Sequence, residues 1–189
     1  MVLYDQQKGE PVVIFFTMDN QPVQQELEKL PKSTLIELIK MYSRNWLTVD
    51  GLWFSGVEEK FGLDEAVDLD VRMWKIGSRI EVKRIAELVD LKKGGLQSVL
   101  RAINFMSWAA CFDYNVEHKE NKAIWTCTHC PPQINRTKAE KEEFACRSTF
   151  EACFGNLCEL IDPKVKVTCL ICPPGPHPKD IWCQWEFYI

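Results

Sequence analysis

All nine cysteines of the chain fall in its last 79 residues, at positions 111, 127, 130, 146, 153, 158, 169, 172 and 183. Their count is odd, which suits a complete disulfide framework poorly. The opening Met1-Val2-Leu3-Tyr4-Asp5 lacks the basic segment and long apolar stretch of a secretory leader. A cytoplasmic, reducing location is therefore expected, with the thiols free. Three roles stay open for each cysteine: small core hydrophobe, metal ligand or reactive thiol.

Bulk properties remove several classes. A 46% hydrophobic share with seven Trp and ten Phe is ample for a core and argues against disorder. Net charge −4 and a pI near 5.5 disfavour nucleic acid, which calls for a basic face. No stretch approaches the roughly 18 apolar residues of a membrane span. The 189 residues fit one domain, or one domain with a helical extension.

Periodicity organises the chain. Residues 1–32 form an arm punctuated by Pro11 and Pro22, with a short strand expected at Val12 to Phe16. Residues 33–109 read as a helical region. Thr34 and Glu37 have the form of a capping box. Leu35, Leu38, Tyr42, Trp46, Val49 and Trp53 follow at helical spacing, and Gly62 suits a helix end. Asp64 can cap a second helix, with Ala66, Leu69, Met73, Ile76 and Ile80 as its apolar seam. A third segment holds Ile85, Leu88 and Val89. Gly94-Gly95 breaks the pattern before a fourth helix over Leu96 to Met106.

Residues 110–189 form a cysteine-rich α+β region. Phe112, Tyr114 and Val116 alternate with polar residues, and residues 123–127 return as a hairpin partner. Thr137 to Glu140 offers a further capping box. A helix stripe runs through Phe150, Phe154, Leu157 and Ile161 to the stop at Asp162-Pro163. Two strands end the chain, one over Val165 to Ile171 and one over Cys183 to Ile189. The expected fold is α+β: an N-terminal helical layer on an antiparallel sheet of about four strands, with one long helix.

The sharpest motif is a repeat. Cys127-Thr128-His129-Cys130-Pro131-Pro132 and Cys169-Leu170-Ile171-Cys172-Pro173-Pro174 are both C-x-x-C-P-P at the end of an expected strand. Proline cannot continue a ladder, so each strand should stop there. Four thiolates suit tetrahedral zinc or iron. However, 38 residues separate the pairs, and i and i+3 face opposite sides of a strand. Cys130, Cys172, His177 and Cys183 make a mixed alternative ligand set, with Cys127 and Cys169 in reserve. His177, on the stiff Pro176-His177-Pro178 loop, can also act as a base, and Cys130 as a nucleophile. Cys146, beside Arg147, is another thiol candidate, placed inside a helix. Cys153 and Cys158 flank the helix stripe and read as core. A third set lies on the first long helix. Asp50, Phe54 and Glu58 can share a face, and a carboxylate against Trp53 would have a raised pKa suited to acid–base work. The acidic run from Glu58 to Asp70 reads as a solvated face.

Several of these motifs carry a resemblance. They are Asn45-Trp46, Asp50-Gly51-Leu52-Trp53-Phe54, residues 57–62, Cys130-Pro131-Pro132-Gln133, Ile161-Asp162-Pro163, and the tail from Cys172-Pro173-Pro174 through His177-Pro178 to Trp182-Cys183-Gln184-Trp185-Glu186-Phe187. Over residues 34–189 the chain resembles a family of uncharacterised prokaryotic cytosolic proteins, a domain of unknown function. More distantly, the layout is similar to L-2-amino-thiazoline-4-carboxylic acid hydrolase-like proteins and to the vinyl reductase small-molecule-binding domain. Those resemblances imply a small-molecule pocket, with or without a metal, and no residue role is carried over from them.

The resulting expectation is a small-molecule-binding protein, with hydrolysis of a C–N or C–S bond of an amino-acid-like compound as its candidate activity. Asp50, Glu58, Cys130 and His177 are its candidate catalytic groups. The alternative is a metal- or redox-sensing module with a zinc or iron site. A homodimer through the N-terminal arm is a third possibility.

Overall fold

A computed structural model describes residues 2–4, 11–13, 21–89, 91 and 94–189. The chain divides into two compact units, Met1–Ile39 and Lys40–Ile189. The first holds strands β1 (Val2–Tyr4) and β2 (Pro11–Val13), paired antiparallel, helix α1 (Gln21–Glu28) and the start of helix α2 (Lys32–Phe61). Of the strand expected at Val12 to Phe16, residues 14–16 lie outside the described residues.

The second unit begins within α2 and continues through α3 (Leu63–Leu88), α4 (Gly95–Ile103), β3 (Asp113–His118), β4 (Lys122–His129), α5 (Pro131–Lys138), α6 (Arg147–Ile161), β5 (Lys166–Ile171) and β6 (Cys183–Tyr188). It is an α+β arrangement, as the periodicity predicted. The four strands form one antiparallel sheet in the order β3-β4-β6-β5. Phe154 of α6 is fully buried. Its ring meets Trp125 of β4 at 5.4 Å, and Trp185 and Phe187 of β6 at 5.3 and 5.2 Å. Each aromatic side chain buried here contributes about 2–3 kcal/mol of hydrophobic free energy.

Helix α2 has the expected period but turns a different face to the body. Tyr42 is 62% exposed and Trp53 74% exposed, with Trp46 and Val49 also exposed. The packed seam is Ser43, Leu47, Asp50 and Phe54, displaced by one residue, or about 100° around the helix. Ser43 is buried and its hydroxyl donates to the Ser107 carbonyl. The inward seam holds Ser43 to meet the Ser107 carbonyl and Asp50 to wall a cavity, so apolar content misidentified the face. Nor does Thr34 begin the helix, which starts at Lys32 just after Pro31. It ends where Gly62 takes φ 95°, in the region that favours glycine, while its N–H donates to the Glu58 carbonyl at 2.9 Å.

Helix α3 runs unbroken where two helices were expected. Its buried residues are Ala66, Trp74, Ser78, Val82 and Ile85, and Leu69 and Met73 of the expected seam are exposed. The α3–α6 contact has a polar lock. Asn156 Nδ2 donates to Ser78 Oγ at 2.8 Å and to the Lys75 carbonyl at 2.9 Å. The α4 N-terminus is closed by Asp162, whose Oδ2 accepts from the Gly95 N–H at 2.6 Å.

Both C-x-x-C-P-P strands stop at their prolines. Antiparallel pairing of each with β6 makes β4 and β5 run the same way, so both motifs reach the same end of the sheet. Cys183, which opens β6, pairs with Cys127 there. Beyond the first motif the chain departs from expectation. Pro131 starts helix α5, because a proline in the first turn lacks only an N–H that has no helical partner. Thr137 therefore lies near the end of α5, not at a helix start, and α6 begins at Arg147.

Gln133 of α5, fully buried, organises the intervening loop. Its Nε2 donates to the Phe144 carbonyl at 2.9 Å and its Oε1 accepts from the Phe144 N–H at 3.3 Å. Among the described residues no helix is long and apolar enough to cross a membrane.

Candidate functional site

A cavity of about 420 Å3 opens within the second unit. Helix α2 supplies Asp50 and Phe54, α3 supplies Asp70 and Trp74, and α6 supplies Thr149 and Phe150. Further wall comes from α5 and the loop after it, with Arg136, Lys141, Phe144 and Cys146, and from Trp108 and Phe112 ahead of β3. The volume suits a small molecule, and mostly apolar walls with a few polar groups are the usual form of such a site.

Two carboxyl groups face this space. Burial pushes Asp50 up to about 7, with the charge of Asp70 adding to the rise. Burial likewise pushes Asp70 up to about 6, although the Thr149 hydroxyl donates to its Oδ2 at 2.8 Å. The neighbouring Trp74 indole favours the charged form of both carboxyls and moderates both rises. A pair with these properties holds and releases a proton near neutral pH. The sequence reading anticipated a raised carboxyl, Asp50 or Glu58, against Trp53; the tryptophan beside Asp50 is Trp74, and Trp53 points to solvent. Asp70, read from the sequence as solvated, faces the cavity because α3 turns it inward.

The third group is Cys146, buried at the N-cap of the 15-residue α6. Its sulfur lies 3.6 Å from Cys172 Sγ and 3.5 Å from Gln133 Nε2. The Cys172 hydrogen bond lowers the Cys146 thiol pKa against the opposing effect of burial, and Gln133 adds to the lowering. The same contact raises Cys172, making it the protonated partner. Cys146 thus sits before the helix, not inside it as expected, and the helix N-terminus adds to its thiolate character.

Glu58 has a different task from the acid–base role expected of it. Arg136 Nη1 and Nη2 donate to its two oxygens at 2.9 and 3.0 Å, and Lys141 Nζ adds a contact at 2.9 Å. The Arg136 hydrogen bonds hold its carboxyl down at about 2. A group so firmly ionised cannot exchange protons near neutrality.

The remaining candidates gather in other ways. Cys127 is flanked by the Cys130 and Cys183 thiols, whose hydrogen bonds push its pKa upward. Cys169 neighbours Cys172. His177 Nε2 lies 3.2 Å from Glu143 Oε1, its Nδ1 lies 3.0 Å from the Pro178 carbonyl, and its ring packs on Trp182 at 5.4 Å. Burial opposes the imidazolium, but the Pro178 carbonyl and Glu143 leave the His177 pKa raised. Among the described residues no group of three or more His, Cys, Asp or Glu is arranged to hold a metal ion. Cys130, Cys172, His177 and Cys183 are therefore not brought together as a four-ligand set. Cys153 and Cys158 are buried, as expected, and Cys153 also borders the cavity.

Sequence reasoning passed over Asp70, Thr149 and Trp74. One signal was available: Asp70 and Trp74 are four residues apart, so a single turn of helix offers an acid and an indole on one face.

No curated protein matches the chain, and no solved structure matches it. Residues 28–189 match a family of unknown function (DUF6125), and with most of its length covered the chain belongs to that family.

Proposed function

We propose that the protein binds a small amino-acid-like molecule in the Asp50–Asp70–Cys146 cavity and hydrolyses a C–N or C–S bond in it. One observation carries the reading: a thiol supplied with hydrogen-bond donors lines the same small cavity as two carboxyls that titrate near neutral pH. Convergence of nucleophile and proton carrier is what acyl transfer requires.

In this scheme Cys146 passes its proton to a carboxylate of the pair and adds through sulfur to the electrophilic carbon. The leaving nitrogen or sulfur departs with a proton from the Asp50–Asp70 pair, leaving a thioester. Water then attacks that thioester, giving its proton to the carboxylate. The acid product departs, Cys146 recovers its proton, and one water has been consumed for one bond cleaved.

The test is turnover of a panel of short amides and thioesters by wild type, Cys146→Ser, Asp50→Asn and Asp70→Asn. The expected result is loss of turnover in Cys146→Ser and a fall of about a hundredfold in Asp50→Asn, the usual scale for acid–base catalysis. Turnover undiminished in Cys146→Ser would overturn the scheme.

A second reading, a redox-responsive module, rests on the 3.6 Å separation of Cys146 and Cys172. A peroxide would oxidise Cys146 to its sulfenic acid, and Cys172 would condense with it to a disulfide, releasing water. Peptide mapping after hydrogen peroxide treatment tests it. A Cys146–Cys172 disulfide that dithiothreitol reverses is expected, and over-oxidised Cys146 without one would reject it.

A further inference from the structure

The cavity carries charge of both signs at separate places along α2. Asp50, Phe54 and Glu58 follow one another at four-residue spacing on one face, so Asp50 and Glu58 are about 12 Å apart along the helix axis. The Asp50 end has the Asp70 carboxyl beside it. At the Glu58 end two cations share one carboxylate, leaving one net positive charge.

The two cations differ in what they can still do. Arg136 is committed: Nε donates to the Glu142 carbonyl at 2.7 Å, Nη1 and Nη2 hold Glu58, and the guanidinium lies 5.6 Å from the Phe54 and Phe144 rings. Lys141 spends one of its three donors on Glu58, and its side chain is 44% exposed. It also lines the cavity. Lys141 is thus the cation able to turn toward a ligand. Between the two charged places lies the apolar wall, with the Phe54 ring midway along α2.

Resting on the reading that this cavity is the ligand site, we infer that it selects an extended zwitterion: a cationic nitrogen at the ionised member of the Asp50–Asp70 pair, whose other carboxyl keeps the exchangeable proton, a carboxylate at Lys141, and an apolar body between them. An ordinary α-amino acid, with both charges on one carbon, cannot reach both places. An ω-amino acid with a ring or chain in its middle can. The fit also discriminates, because a ligand lacking either charge leaves the net charge at one end of the cavity unmatched.

Isothermal titration calorimetry at pH 7 tests this with three probes that share one ring: 4-(aminomethyl)phenylacetic acid, 4-methylbenzylamine and 4-methylphenylacetic acid. The zwitterion is expected to bind at least tenfold more tightly than either single-charge probe. Lys141→Met should erase its advantage over the amine while leaving amine binding unchanged. Lys141→Glu should make the amine the tighter ligand, and circular dichroism checks that both variants fold. Equal affinity of amine and zwitterion, unaltered in both variants, would overturn the inference and leave the cavity as an amine site. Absence of binding by all three probes would overturn it too. The cavity reading itself would fall only if, in addition, iodoacetamide modified Cys146 no faster than the core Cys158.

Discussion

Asp50 on α2 and Asp70 on α3 line one mostly apolar cavity, and the charge of Asp70 raises the Asp50 carboxyl beyond what burial alone does. Two acids so placed, each pushed upward by burial, cannot both be charged without cost. This relationship links the fold to its pH behaviour, because the groups concerned titrate near pH 7.

The pH effect has a definite sign. A carboxyl whose folded pKa lies above its unfolded value favours folding while it is protonated, and loses that advantage as pH rises. For Asp50 the loss runs from about pH 4 to about pH 7, after which it is complete. Asp50→Asn should therefore gain stability relative to wild type between pH 5 and pH 8, by about 1–2 kcal/mol after discounting for solvent in the cavity. Urea denaturation of both proteins at the two pH values measures it. Parallel changes in the two would contradict the assignment.

Glu58 has the opposite sign. Held at about 2 by Arg136 and Lys141, it contributes stability that is present above pH 4.5 and is lost as pH falls toward 2. Glu58→Gln should cost about 2–3 kcal/mol at pH 7, since it leaves the mostly buried Arg136 short of its counter-ion. Thermal melts should show the variant and wild type converging at acid pH.

The thiols should react in a definite order. Burial pushes Cys158 up to about 12 and raises Cys153 as well, so both should be the last alkylated in the native state. Time-resolved peptide mapping with iodoacetamide at pH 7.5 gives the ranking. Early modification of Cys158 would mean that α6 opens locally.

Asn156 locks α6 to α3 through Ser78 and the Lys75 carbonyl. Asn156→Ala should cost about 2 kcal/mol by leaving buried partners unmatched. Trp53→Ser, by contrast, should change stability by less than about 0.5 kcal/mol, because the larger side chain points to solvent. Equilibrium unfolding of the two variants tests the assigned face of α2 directly.

Much of the architecture could be read from spacing alone. The hairpin at residues 113–129, helix α6 and the last two strands obey period-two and period-3.6 patterns that packing does not override. The face of α2 was misread because two stripes interleave one residue apart, and the more apolar one, through Tyr42 and Trp53, is not the one that packs. The break expected in α3 was misread because polar residues there pack as well: Ser78 is buried and Glu81 accepts from the Ser107 N–H. The site was legible in part. Asp50 stood out by its spacing to Phe54 and Glu58, but Cys146 gains its partners only from Cys172, 26 residues away, and from Gln133 on another helix. Spacing along the chain does not encode such meetings.

Gln133 pairs with both the N–H and the C=O of Phe144, as a neighbouring strand would. One side chain thereby acts as a template for a loop that has no regular structure of its own. It dictates the heading with which the chain enters α6, and so the aim of Cys146 two residues later. The loop's shape is written in a position that is not part of it, which leaves Lys141 and Glu143 within it available for contacts of their own. Replacing Gln133 would leave every reactive group in the cavity intact and scatter the direction in which the sulfur points.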